Sequence, residues 1–413
     1  MTSETFPLAE QPRLRPIEIF PIDDRGQRGL VLRDPSDPDL RPIVVSDGAA
    51  QVLTLLDGQR SLEALSAALR LRGAVLTATQ VRTFVERLDQ AGYLEGPRAE
   101  HRLRSRHARF LEAPVRIAVH AGGAYPSGPD LLRYLEDGYV HRDGPGSLPG
   151  APLGAPPRAV VAPHVDLHRG APTYSWAYKA IAEAAPAELY VVLGTCHTPV
   201  AGSFAATRKP YDTPLGALPV DADFLARLTG LWGRDLFAGE FSHANEHSIE
   251  FQAVYLRSLG ISSPMVAILC DSLHALVPPG KSPVDVPLVT EFVAAVHEAV
   301  AADGRSVTYI AAVDLAHVGR RFGDPWLVDT AHIEQVGAAD HELLNLLITP
   351  DAEGYYQHVM RDRDARRICG FTPLYLLATL MQGENRQGEL LRYTQWIDTD
   401  RTSSVTFASA IYR

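Results

Sequence analysis

The sequence predicts an α/β protein whose central sheet is mostly parallel, has helices on both faces, and follows a small α+β domain. In the larger part of the chain, apolar runs of four to six residues are separated by helical stretches. Such runs are typical of parallel strands that are buried on both faces. The first hundred residues instead show a hairpin pattern followed by three short helical patterns. With 413 residues the chain is too long for one ordinary core, so two or three domains are expected.

Residues 13–96 are predicted to form the small domain. The segment 17–35 alternates around a polar Arg-Gly turn, as a β-hairpin does. Ser61 begins one helical pattern, and Thr77 with Gln80 forms a capping box before another. A hairpin with three helices is a winged-helix layout. Winged helices also bind DNA, but Asp and Glu outnumber Arg in this segment and Lys is absent, which argues against DNA. The alternative is a domain that only packs on its neighbour.

The segment 97–112 is strongly basic, and the simplest interpretation is a solvated linker. The larger domain then spans 113–413 and begins with a predicted strand, a turn and a helix. A second stretch, 141–158, is too rich in Pro and Gly for regular structure.

Reactive side chains follow the predicted core strands of the larger domain. The carboxyl ends of parallel strands line one edge of such a sheet, where ligands bind. Chemistry-bearing residues that are far apart in sequence are therefore expected at a common edge. They follow the strands that begin near positions 159, 189, 265 and 309: His164; Cys196 and His197; Cys270 and Asp271; Asp314 and His317.

Two further candidates come from helix starts. Cys369 precedes a helical pattern for which Thr372 is the predicted N-cap, and a thiol at a helix N-terminus is expected to have a lowered pKa. Glu246 and His247 begin another amphipathic helix. The conjunction of histidines, an Asp-x-x-His pair and a cysteine at element ends predicts a shared metal or catalytic site. The alternative is that each is a hydrogen-bonded or solvated structural residue.

Composition restricts the possible partners. A net charge of -10 argues against nucleic-acid binding, and no apolar run reaches the ~20 residues that a membrane-spanning helix needs. The N-terminus lacks the pattern of a secretory signal. Three widely spaced cysteines do not form a disulfide framework, so the cytoplasm is the expected location.

The larger domain also resembles a known family over residues 113–413, the Memo family. Bacterial and archaeal relatives are known as protein B of the AmmeMemoRadiSam system, named for its association with a radical SAM protein. The segment 13–96 resembles the PqqD-like domains, which bind leader peptides in peptide-modifying pathways. The motifs that carry the Memo resemblance are AGGAYPSGPDLL, APHVDLHRGAPTYSWAYKAI, VVLGTCHTP, YDTPLGALPVD, EHSIEFQAVYL, AAVDLAHVG and RRICGFTPLYLLATL, followed by the final strand SSVTFASAIYR.

The Memo fold is similar to that of class III extradiol dioxygenases, which hold Fe(II) with two His and a Glu. The resemblance implies one metal ion held by His164, His197 and Cys369, with His317 as acid/base beside Asp314. A thiolate in place of the carboxylate makes the site softer, and iron or copper is favoured over zinc. Glu246, His247, Asp166 and Arg169 are the residues expected to bind substrate.

The first functional hypothesis is therefore a metal-dependent redox or oxygen-using enzyme that acts with a radical SAM partner system. The alternative is a non-catalytic peptide- or ligand-binding module that recruits a substrate to a partner enzyme. A zinc hydrolase is third, because the sequence has no His-Glu-x-x-His motif.

Overall fold

The structure is a computed structural model that describes residues 6–24, 27–34, 37, 40–74, 76–152 and 154–413. The chain forms two compact units, divided between Ala113 and Pro114. Among the described residues, no helix is both long and apolar enough to cross a membrane.

The first unit contains a three-stranded antiparallel sheet and helices. Strands β1 (Glu18–Asp24) and β2 (Gln27–Arg33) form the predicted hairpin, and β3 (Ile43–Ser46) adds to β2 in the order β1-β2-β3. The turn residues 25 and 26 lie outside the described residues. The helices of the unit are α1 (Ala50–Leu53), α2 (Leu62–Leu71), α3 (Ala78–Gln90) and α4 (Pro97–Glu112).

Two of the predicted helix starts in this unit are confirmed by their caps. The Ser61 hydroxyl accepts a hydrogen bond from the Ala64 amide at 3.3 Å. Thr77 and Gln80 form the capping box, in which each side chain accepts from the other residue's amide, at 3.2 and 2.9 Å. Apolar faces of α2 and α3 pack with Leu32 and Tyr93 into a common core. A winged-helix identity for this unit remains a prediction.

The basic segment 97–112 is not a loose linker, because it forms the regular helix α4. Its Arg side chains pair with acidic groups of the same unit. Arg102 Nε lies 2.6 Å from Asp37 Oδ2, and Arg98 Nε lies 3.0 Å from Asp89 Oδ2. Arg106 is buried and lies 3.3 Å from Asp37 Oδ1. These ion pairs stabilise a helix whose charge suggested a solvated segment.

The second unit is built on an eight-stranded sheet in the order β10-β11-β4-β8-β5-β7-β6, with β9 paired to β11. The four central strands β4, β8, β5 and β7 are parallel, as predicted, and the outer strands are antiparallel. The strands are β4 (Ala159–Ala162), β5 (Leu189–Thr195), β6 (Phe204–Ala206), β7 (Met265–Cys270), β8 (Val307–Ala312), β9 (His317–Val318), β10 (Gly388–Ile397) and β11 (Ser404–Tyr412).

Helices cover both faces of this sheet. Successive strand residues alternate between two cores, so Val160 packs in one and Val161 in the other. The core that contains Val160 includes residues of α5, α6 and α8, and the opposite core includes residues of α7, α10 and α13. The helices are α5 (Asp130–Val140), α6 (Leu167–Ala182), α7 (Ala222–Trp232), α8 (Ser248–Ser258), α9 (Leu273–Leu276), α10 (Pro287–Ala301), α11 (Thr330–Ile348), α12 (Ala352–Met360) and α13 (Phe371–Gly383).

The predicted opening strand of this unit does not form. In the segment 115–119 only Arg116 makes a β-bridge, to Tyr211, and Ile117 is 59% exposed. The Arg116 side chain is buried and pairs with Glu250, so the segment is held by a side-chain anchor. The helix predicted after it is α5, and the described residues of 141–158 have no regular structure, as expected.

Candidate metal centre

Three adjacent strands deliver the candidate ligands to one edge of the sheet. Strands β4, β8 and β5 are neighbours, and their carboxyl ends lead into His164, Asp314 and His197. The Gly370 amide donates to Asp314 O at 3.0 Å, and this hydrogen bond holds Cys369 at the same edge. A Cβ at Gly370 would lie 2.6 Å from Val313 Cβ, so only glycine allows this close approach. The predicted convergence of strand ends is confirmed.

His164, His197 and Cys369 each offer one ligand atom, and these atoms lie within 4.8 Å of one another. Cys369 Sγ lies 3.2 Å from His164 Nε2. Metal–nitrogen and metal–sulfur bonds of about 2.0 to 2.3 Å in tetrahedral geometry separate ligand atoms by roughly 3.5 Å. The three atoms are therefore close enough to share one ion with little movement.

The ring of His164 is fixed by the backbone. Its Nδ1 lies 3.0 Å from Ala312 O, so Nδ1 carries the proton and Nε2 presents a lone pair towards Cys369. The side chain is almost completely buried. Burial, and then the neighbouring His197, lowers the pKa of His164 to about 3. His164 is thus neutral, which is the form that binds metal.

His197 is held by Glu246. Its Nδ1 lies 3.1 and 3.2 Å from the two Glu246 oxygens, and its amide donates to Glu246 Oε2 at 2.8 Å. Glu246 also accepts from the amides of His247 and Ser248, at 2.8 and 3.0 Å. Burial opposes ionisation of Glu246, but His197 and these N–H groups outweigh it and hold the pKa of Glu246 well below its usual range. Glu246 therefore lies behind His197 and directs its Nε2 outward.

His247 packs against both candidate histidine ligands. Its ring stacks on His197 with centroids 4.7 Å apart and meets His164 edge-on at 5.4 Å. Burial lowers the pKa of His247 to about 3. His197, Glu246 and His247 form a second group with ligand atoms within 4.8 Å. The His247 side chain is 29% exposed, so it remains accessible at the edge of the site.

Asp314 and His317 form a third group with Cys369, again within 4.8 Å. Asp314 Oδ1 accepts from the amides of His164 and Val165, at 3.0 and 3.1 Å. Burial raises the pKa of Asp314 to about 6. The His317 ring is oriented by a hydrogen bond between its Nδ1 and Leu315 O at 3.1 Å. Burial lowers the pKa of His317, and the neighbouring Asp314 partly opposes this shift.

The prediction that the pKa of Cys369 is lowered is wrong. Gly370 is the N-cap of α13, while Thr372 lies inside the helix and accepts from the Leu273 amide at 2.9 Å. Burial, and then the nearby Asp314, raises the pKa of Cys369 well above its usual value. Loss of solvent outweighs the helix dipole here. A metal ion that binds the sulfur would displace the thiol proton.

Asp166 and Arg169 lie at the start of α6, two and five residues after His164. Asp166 is the N-cap residue of α6 but makes no side-chain capping bond. Arg169 Nε lies 3.3 Å from His168 Nε2. Their role in substrate binding stays a prediction.

One residue that supports the site was missed from the sequence. Arg116 is 1% exposed; its Nε donates to His243 O at 2.8 Å, and its Nη2 to Glu246 O at 2.6 Å. With its ion pair to Glu250, it braces the segment that carries Glu246. A lone charged residue inside the apolar run VRIAV was the available signal.

The fold and the site together define an α/β protein with a candidate imidazole-and-thiol metal centre at the carboxyl edge of a mostly parallel sheet. The model of the family described as Memo-like protein matches residues 116–411. The chain therefore belongs to the Memo family.

Curated relatives agree with this assignment. A MEMO1 family protein from Aquifex aeolicus is 27% identical over 404 residues, which covers 97% of this chain and 100% of the relative. One from Methanopyrus kandleri is 29% identical over 303 residues, 71% of this chain and 97% of the relative. One from Thermus thermophilus is 25% identical over 351 residues, 85% and 98% of the two chains. The Aquifex alignment extends over both units, so that relative also has sequence corresponding to the first unit.

Proposed function

We propose that this chain binds one metal ion through His164 Nε2, His197 Nε2 and Cys369 Sγ and uses it in a redox or oxygen-dependent reaction. The observation that carries the proposal is that each of these side chains offers a ligand atom within 4.8 Å of the other two, although the histidines follow β4 and β5 and the cysteine precedes α13. The other ring nitrogens face Ala312 O and Glu246, so both histidines can present Nε2. The residues present fit a metal ion.

The ligand set limits the choice of metal. Two imidazoles and one thiolate suit copper, iron or zinc better than hard cations such as magnesium. We favour iron because of the resemblance to non-haem iron enzymes that cleave aromatic rings, and copper because a thiolate makes the ligand set softer. Either ion, when bound, supplies Lewis acidity and one-electron chemistry.

The remaining residues have roles that follow from their hydrogen bonds. His317 Nε2 accepts or donates a proton, because its Nδ1 is engaged by Leu315 O. Asp314 fixes the backbone after β4 through the amides of His164 and Val165. His247 presents a partly exposed imidazole at the rim, where it contacts substrate.

Metal analysis of protein purified without an affinity tag tests the first proposal. We expect about one equivalent of iron or copper in the wild type and less than a tenth of that after combined His197→Ala and Cys369→Ala substitution. Cys270→Ala is the matched control, because Cys270 ends β7 but is in none of the three ligand groups. Unchanged metal content in the double variant would refute the ligand assignment.

The second candidate function concerns the first unit. In the part of this unit that the structure describes, β1 and β3 are both edge strands. Ile19 and Phe20 on β1 are 41% and 40% exposed, and Val44 on β3 is 65% exposed. An open edge with apolar side chains accepts an extended peptide as an added strand. This supports a PqqD-like winged-helix role in recruiting a peptide for a radical SAM partner.

Calorimetry with synthetic peptides encoded beside its gene tests the recruitment proposal. We expect Val44→Asp and Phe20→Asp to weaken peptide binding, while His197→Ala with Cys369→Ala leaves it unchanged. If peptide affinity instead follows the metal-ligand substitutions, the second unit is the peptide site and the proposal fails.

A further inference from the structure

A cavity of about 560 Å³ lies in the second unit between α5, the first half of α6 and β10. This volume is within the usual range for small-molecule sites. None of its lining residues belongs to the three ligand groups of the metal centre. The side chains that matter for its chemistry are Tyr134, Asp143, His168, Arg169, Arg392 and Trp396.

Sheet register places this cavity beside the metal centre. Val405 of β11 pairs with His317 on one side and with Trp396 on the other. Residues directly opposite in a sheet share a face, and each pairing spans about 5 Å, so the backbones of His317 and Trp396 are roughly 10 Å apart on one face. His168, four residues after His164, meets the Trp396 ring edge-on at 6.1 Å. The Trp396 end of the cavity is therefore roughly 10 Å from His317, the proposed proton-transfer residue.

Two guanidinium groups in the wall have unused hydrogen-bonding capacity. Among the described residues, Arg169 has no carboxylate partner, and its sequence neighbour His168 offers it only an imidazole nitrogen at 3.3 Å. Arg392 Nη2 donates to Asp143 Oδ1 at 2.9 Å, but Arg392 Nε is buried and has no hydrogen-bond partner in this part of the chain. An unpaired buried donor is unfavourable, and an anion would satisfy it.

The charges around the cavity favour an anion over a cation. The lining contains three Arg side chains, at 142, 169 and 392, and two carboxylates, Asp137 and Asp143. Asp143 is already neutralised by ion pairs with both Arg142 and Arg392. Trp396 and Tyr134 add aromatic surface to the same wall.

We infer that this cavity binds an organic anion, a carboxylate or phosphate joined to a flat apolar body, whose far end reaches the metal centre. The anionic group contacts Arg169 and Arg392, and the flat body packs on Trp396. A reaction of the bound anion rests on the proposed metal site, whereas binding of the anion depends on the cavity alone. It names a substrate class for the metal site.

The test uses full-length protein stripped of metal with a chelator and three related probes: 2-naphthoate, 2-naphthyl phosphate and the neutral 2-naphthamide. Titrations followed by calorimetry should show at least one anion binding roughly tenfold or more tightly than the amide, because charge-assisted hydrogen bonds add to ring packing. The tighter binder of 2-naphthoate and 2-naphthyl phosphate shows whether the natural ligand carries a carboxylate or a phosphate.

Arg169→Gln should reduce the preference for the anion to within about twofold without changing affinity for the amide. Trp396→Leu should weaken all three probes, and Arg133→Gln, on an exposed part of α5 outside the lining, should change none. Equal binding of the three probes, no binding at millimolar concentration, or an anion preference that survives Arg169→Gln would overturn the inference. Metal content measured on the same proteins before the chelator is added separates the two proposals, since wild type purified without metal would refute the metal site but leave anion binding standing.

Discussion

Replacing Glu246 by Gln tests the support of the candidate metal site at a single atom. The two Glu246 oxygens accept from His197 Nδ1 and from the amides of His197, His247 and Ser248. A Gln side chain keeps the shape but has one oxygen. In the wild type, each Glu246 oxygen lies 2.8 Å from a backbone N–H, that of His197 or that of His247. The NH₂ group of Gln would therefore face one of these N–H groups in either orientation. The substitution thus removes the charge and sets donor against donor.

The size of the effect follows from that geometry. Substitution of a partner that orients a metal-bound histidine lowers metal affinity by roughly 10- to 100-fold. That range corresponds to about 1.4 to 2.8 kcal/mol. Because both Gln orientations lose at least one hydrogen bond, we expect a value near the upper end.

Competition between the protein and a chromophoric chelator measures this affinity, and a thiolate-to-cobalt absorption band in the Co(II) form reports whether Cys369 is bound. Glu240→Gln is the matched control, because Glu240 is also buried and accepts from Thr207 Oγ1 at 2.8 Å, outside the three ligand groups. An affinity of Glu246→Gln within about threefold of wild type, in a folded protein, would refute the role of Glu246 as the support of His197.

Three other substitutions test the fold and the approach of Cys369. Asp303→Asn should lower the free energy of unfolding, measured by urea denaturation, by about 2 kcal/mol above pH 4 and by progressively less towards pH 2. The reason is that hydrogen bonds to Arg side chains lower the pKa of Asp303 from 3.8 to about 2. Metal content should not change. Gly370→Ala should lower metal affinity and cost about 1 to 3 kcal/mol in stability, since its Cβ would lie 2.6 Å from Val313 Cβ. Tyr93→Phe should destabilise the first unit by about 1 kcal/mol in thermal unfolding, because the Tyr93 hydroxyl donates to Leu32 O at 2.8 Å. Unchanged stability of Gly370→Ala or of Tyr93→Phe would contradict the contact assigned to that residue.

The location of the site could be predicted because parallel strands end at the same edge of a sheet. His164, His197 and Asp314 each follow a short apolar run, and strand polarity alone brings them together. Cys369 was a candidate from its helix start, but its place in the ligand set came only from the resemblance, since its position depends on the close approach of Gly370 to the end of β8.

The sequence was less informative for residues whose interaction partners are far away along the chain. Helix α4 was missed because its Arg residues are paired by groups such as Asp37, 65 positions from Arg102. The pKa of Cys369 was predicted in the wrong direction because a helix start is visible in sequence, whereas burial by residues from elsewhere in the chain is not. Arg116 was missed for the same reason, since Glu250 lies 134 positions away.

The contact between Cys369 and His164 joins positions separated by 205 residues. An unfolded chain cannot hold these donors together, so an ion bound at this point has little affinity for the denatured ensemble. Loading and unfolding are consequently linked: free metal at a hundred times its dissociation constant would raise the free energy of unfolding by about 2.7 kcal/mol. The melting temperature of the second unit therefore reports the fraction of the protein that has metal bound, even though the substrate is unknown.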